Sequence, residues 1–201
     1  MMASVRRRAA APLTALSLVL ATASSAGAAS LWDPPTEVSC DQIEDAEDDV
    51  ATVRARAAEA MGSMWPQASP SAGDELRRLA RDASDNVRIS AAVGLARAIE
   101  RASAPERIDL VCTWALSDDV DERLALARAL TWSTPVFVAD LVLEQLALDD
   151  DAKVRAAALA AVARHFHENS SVYVRIAGQC TEDADASVRQ LARALIKRAR
   201  G

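Results

Sequence analysis

The chain has 201 residues, enough for one domain, with 51% hydrophobic and only 3% aromatic side chains, so its core must be built from Ala, Leu and Val. Alanine is the strongest helix former, and alternating β-branched runs are missing, so composition predicts an all-α fold. The formal charge of −6 disfavours a nucleic-acid partner, whose affinity rests on neutralised phosphates, and adsorption to an anionic membrane.

The first element is a targeting segment. Arg6, Arg7 and Arg8 precede an apolar run from Ala9 to Ala23, and Ala26-Gly27-Ala28 offers a small-residue cleavage site. That order predicts a signal peptide over 1–28 and a periplasmic or secreted protein. The apolar run is too short and too interrupted by Ser and Thr to span a bilayer. Cleavage removes three arginines and no acid, leaving a more acidic mature chain with no membrane attachment. Residues 29–38, with Pro34-Pro35, read as a linker, and 39–201 as the folded domain.

Within that domain a segment recurs. "DVATVRARAAEAM", "DASDNVRISAAVGL", "DDVDERLALARAL", "DDAKVRAAALAAV" and "DADASVRQLARALI" align on Arg54, Arg88, Arg123, Arg155 and Arg189, spaced 34, 35, 32 and 34 residues apart. A fixed period of this size signals a repeat architecture. Apolar residues sit three, four, six and seven places after each arginine. With the preceding Val they form one buried helix face, interrupted at Glu122 and Arg193. The acids before each Val-Arg pair fall at an N-cap and first turn. Shorter apolar segments at 39–46, 74–83, 105–116, 135–148 and 171–180 predict a partner helix for each, with Pro105 and Pro135 at helix starts. Residues 62–74 read as a long irregular connection. One helix pair cannot bury its own faces, so the pairs must stack.

The pattern D-x-x-V-R-x-x-A-A-x-A-L resembles the HEAT-repeat family, in particular its short bacterial type named after phycobilisome lyases, over about 39–200. The first copy has Val50 where the family has Asp. The second has Ser84 there, the third lacks the Val, and the fifth has Arg193 for the second Ala. The resemblance implies a right-handed α-solenoid of about five helix pairs. It also implies a ladder in which Asp119, Asp151 and Asp185 pair with arginines among Arg123, Arg155 and Arg189, with Arg54 and Arg88 in the same register.

Few residues suggest chemistry. His165 and His167 are two apart, so they point in different directions on a helix, and one His-Glu pair does not make a metal site. Cys40, Cys112 and Cys180 fall in first helices two repeats apart, on the order of 20 Å, which excludes a disulfide between them and predicts three buried thiols. No nucleophile set and no Gly-rich phosphate loop can be assembled. The expectation is a non-enzyme without cofactor or metal. Nine residues after each repeat arginine stand Ser63, Arg97, Trp132, Arg164 and Arg198, with Arg128 one turn before Trp132. On the concave face of a solenoid, this row is a candidate stripe for a protein or extended-peptide partner, Trp and Arg being the usual anchors. The alternative is that the arginines cap helix C-termini and Trp132 fills a groove. Two other functions remain open: an enzyme accessory holding a small molecule, and a self-associating structural protein joining "IKRAR" (196–200) to "DQIEDAEDD" (41–49).

Overall fold

The computed structural model describes residues 49–64, 70–133, 137–165 and 170–200, all within the compact unit Asp33–Gly201. The signal peptide, the linker, the segment at 39–46, Cys40, Pro135 and His167 lie outside the described residues. Every regular element among the described residues is helical. In chain order they are α1 (Ala51–Met64), α2 (Pro70–Ala80), α3 (Asp85–Arg101), α4 (Ala104–Ala115), α5 (Val120–Trp132), α6 (Phe137–Leu146), α7 (Ala152–Arg164), α8 (Ser170–Gln179) and α9 (Ala186–Arg200). None is long and apolar enough to cross a membrane.

The five Val-Arg segments are α1, α3, α5, α7 and α9. These pack side by side in chain order. The intervening helices α4, α6 and α8 also pack in chain order, each against the helices flanking it in sequence, while α2 reaches past its own pair to touch α5. Tight turns join the pairs, and their caps follow from sequence. Asp151 and Asp185 accept the N–H groups at the starts of α7 and α9, and Asp119 accepts that of Asp121. At α4 the Ser103 N–H and hydroxyl both donate to the Glu106 carboxylate, with Pro105 in the first turn.

The core is a column of small and branched side chains running through the whole row. Ala58, Ala92, Ala127 and Leu159 occupy one register position and are fully buried, as are Met61, Leu95 and Val162 at another, with Leu130 beside them. Small side chains let helices approach closely, most of all where α1 crosses α3. A Cβ on Gly62 would lie 2.0 Å from the Gly94 carbonyl oxygen, and one on Gly94 would lie 2.4 Å from the Ala58 oxygen. Two backbones therefore touch where any other residue would hold them apart. This also corrects the long loop expected over 62–74. Helix α1 continues through Met64 because Gly62 is part of this crossing, and α2 already begins at Pro70.

Candidate functional site

The repeat arginines hold the turns. Four of them send Nη1 to carbonyls at the start of their own turn: Arg88 to Asp82 and Ala83, Arg123 to Ser117, Arg155 to Asp149 and Asp150, Arg189 to Asp183 and Ala184. Three of the five clamp the next turn with a two-pronged fork. Arg54 grips Asp82 at 2.7 and 2.9 Å, Arg123 grips Asp149 at 2.6 and 3.1 Å, and Arg155 grips Asp183 at 2.7 and 2.8 Å. The same carboxylates accept the N–H two residues on, at Ser84, Asp151 and Asp185. Planar forks match carboxylates bidentately, and these pairs are mostly shielded from water.

The ladder acids are therefore not Asp119, Asp151 and Asp185. All three sit at N-caps, where Oδ1 accepts helix N–H groups; for Asp151 and Asp185 the guanidinium of the preceding repeat meets the acid two residues earlier, and Asp119 takes Arg81 rather than a repeat arginine. The signal was in the sequence: an Asp stands six places before Arg54, Arg88, Arg155 and Arg189. Replacing Asp183 by Ala should cost about 2 kcal/mol in chemical denaturation, because it strips a bidentate partner and a turn acceptor together. The cap substitution Asp185→Ala should cost less, since it removes helix N–H acceptors but no arginine fork.

The third copy breaks this rule and substitutes another. Its turn has Ser117 where the others have Asp, so Arg88 finds no acid across the joint and instead pairs with Asp85 of its own helix. The joint is held from α2. Arg77 donates to the Glu122 carboxylate at 2.7 Å, Arg81 donates to the same carboxylate, and Arg81 Nε meets Asp119 at 2.5 Å. Glu122 is only 2% exposed, in the place where every other copy has Val. Arg77 also lies over the Trp114 ring, 5.2 Å from its centroid, a cation–π contact. Trp114 is wholly buried, and its indole N–H has no acceptor among the described residues. The sequence reading missed Arg77, Arg81 and Trp114 because nothing in a one-helix pattern links them to Glu122.

These contacts make stability depend on pH in a defined direction. The Arg54 fork holds the Asp82 carboxyl below its usual range, the Arg155 fork does the same for Asp183, and the Ser103 and Ser187 hydroxyls lower Glu106 and Asp185. Burial pushes Asp119 up, but Arg81 and the Asp121 N–H outweigh it and lower it overall. Carboxyls depressed in the fold contribute stability above their unfolded values and lose it as the pH falls through the folded ones. Unfolding free energy should thus be level from neutral pH to about 5 and fall steeply below about 4, as urea melts at stepped pH would read.

The stripe residues divide into two kinds. Arg97 and Arg198 brace the stack. Arg97 donates to the Glu59 carbonyl at 3.3 Å and pairs with its carboxylate at 3.1 Å, and Arg198 donates to the Ala163 carbonyl at 3.2 Å. His165, at the C-cap of α7, puts Nε2 2.8 Å from the Leu130 carbonyl, joining the ends of α5 and α7. By contrast, Arg128 and Arg164 have no polar partner among the described residues, and Trp132 is 49% exposed rather than filling a groove. Arg128 is half-buried and Arg164 exposed.

Among the described residues no group of His, Cys, Asp and Glu is placed to hold a metal ion. Cys112 and Cys180 are free thiols. Cys180 is buried and donates to the Ala147 carbonyl, whereas Cys112 is only half-buried, because α4 turns that side partly to solvent. Burial raises both thiols, which leaves them poor nucleophiles.

No family model matches the chain, and no curated protein is significantly similar to it. Among solved structures, the chain is similar to a crystal structure of an engineered protein at 19% identity, covering 79% of this chain and 78% of that one, with a TM-score of 0.44. A second engineered protein is similar at 21% identity over 79% of both chains, also with a TM-score of 0.44.

Proposed function

We propose that this chain is an exported bacterial HEAT-like protein, a right-handed solenoid of about five helix pairs. It acts without catalysis as a module that binds a protein partner on its concave face, periplasmic or secreted after loss of residues 1–28. In this reading α1, α3, α5, α7 and α9 line the concave face. One observation carries the reading. In a fold where most arginines are spent on turns, caps and ion pairs, Arg128 and Arg164 are left without polar partners among the described residues, beside a half-exposed tryptophan. Indole and guanidinium anchors of this kind dominate binding surfaces.

The test is a cross-linked pull-down from cell-envelope extract with the mature protein and a Trp132→Ala, Arg164→Ala variant. A partner identified by mass spectrometry with the first and lost with the second supports the module and its site. Equal capture by both moves the site elsewhere, and capture by neither removes the reading.

A further inference from the structure

The charges of this acidic chain are segregated. Helices α7 and α9 contain no Asp or Glu at all, whereas the turns leading into α5, α7 and α9 hold Asp118 and Asp119, Asp149 to Asp151, and Glu182, Asp183 and Asp185. Two register rows cross α5, α7 and α9 on the exposed side of these helices. One reads Arg128, Ala160, Ala194 and the other Trp132, Arg164, Arg198. The bond from His165 to Leu130 and that from Arg198 to Ala163 tie the ends of the three helices together, so the rows form one patch. Its floor is alanine: Ala160 and Ala194 are exposed, with Ala156, Ala157 and Ala163 half-buried. On α5 the acids are Asp121 and Glu122, both in the first turn, and Glu122 is buried and paired with Arg77 and Arg81.

We infer, building on the binding-module reading, that this patch takes an extended acidic segment of a partner protein. The chemistry is complementary on three counts. The guanidinium groups of Arg128 and Arg164, without polar partners among the described residues, present forks that match carboxylates bidentately. Trp132 offers an apolar face for one side chain of the segment, next to cations that hold its neighbours. The alanine floor is flat enough to admit a backbone. Helices about 10 Å apart place Trp132 and Arg198 some 20 Å apart, the reach of about six residues of extended chain. A segment of that length stays on the patch. A phosphate polymer would run on past the patch toward the acidic turns, which repel it, as does the chain's charge of −6.

The probe is a fluorescein-labelled peptide of about twelve residues with Glu alternating with Leu and Ser, long enough to cross the three helices. Fluorescence anisotropy is read against the same peptide with Gln for Glu, and against oligouridine of equal length. The Glu peptide is expected to bind saturably, the Gln peptide to bind at least about tenfold more weakly, and the affinity to fall as salt rises. Arg128→Glu with Arg164→Glu should abolish binding. Arg175→Glu, on α8 and paired with Glu144 in the native chain, should leave it intact. Matching thermal melts show that the variants fold. Equal binding of both peptides, binding that survives the double reversal, or tighter binding of oligouridine overturns the proposal. A partner captured through Trp132 in the pull-down, with no binding of the Glu peptide, leaves the module standing and removes only its acidic ligand.

Discussion

Replacing Arg77 and Arg81 together by Ala is expected to lower the unfolding free energy by about 3–5 kcal/mol, the cost of leaving a buried carboxylate without its cations. Glu122 is 2% exposed and takes its charge compensation from those two side chains. Removing them also strips the cation from the Trp114 ring and the partner from Asp119. The reverse substitution separates this from a general packing defect. Glu122→Val restores the residue the other copies carry and leaves two arginines that reach water, at 29% and 44% exposure, so it should cost less than about 1 kcal/mol. In the Glu122→Val background, truncating both arginines should then cost far less than in the native chain. Urea denaturation of the four proteins closes the cycle. A similar loss in both backgrounds would show that the arginines act through packing instead.

The second large effect concerns glycine, and its sign reverses between sites. In an open helix position Gly→Ala stabilises by roughly 0.5–1 kcal/mol. Gly178 on α8 has open space around its would-be Cβ, so Gly178→Ala should raise the melting temperature. Gly62→Ala and Gly94→Ala face backbone at 2.0 and 2.4 Å, which has no side chain to swing aside. They should destabilise by about 3 kcal/mol or more, since the two helices must separate and uncover Ala58, Met61 and Leu95. Thermal melts by circular dichroism decide it, and protease sensitivity near α1 should rise in the same variants. A stabilised Gly62→Ala protein would mean that α1 and α3 do not cross on their backbones.

Much of the helical plan was written in local pattern. The Val-Arg copies with their apolar positions marked α1, α3, α5, α7 and α9, and Pro105 marked the start of α4. Such signals are short-range: a cap, a proline and a periodic face each act within one or two turns. The same reasoning failed at Gly62, where a loop residue by propensity proved to be a helix residue required by a neighbour. It failed again at the ladder, where two acids in one turn, Asp149 and Asp151, compete for roles that only the position of the preceding helix separates.

By itself, then, the sequence determined the helix count and most boundaries over the described residues, which face of each repeat helix is buried, and the arginine register that holds the turns. Those are consequences of period and capping, and they need no partner element. Only the tertiary structure decided which acid each arginine grips, that Glu122 is a buried carboxylate held by α2, and that Arg97 and Arg198 brace the stack while Arg128, Trp132 and Arg164 face outward. Each of these depends on which groups from distant turns come within hydrogen-bond reach. That is set by helix packing and by the desolvation that packing imposes, and residues 45 positions apart, such as Arg77 and Glu122, carry no local trace of it.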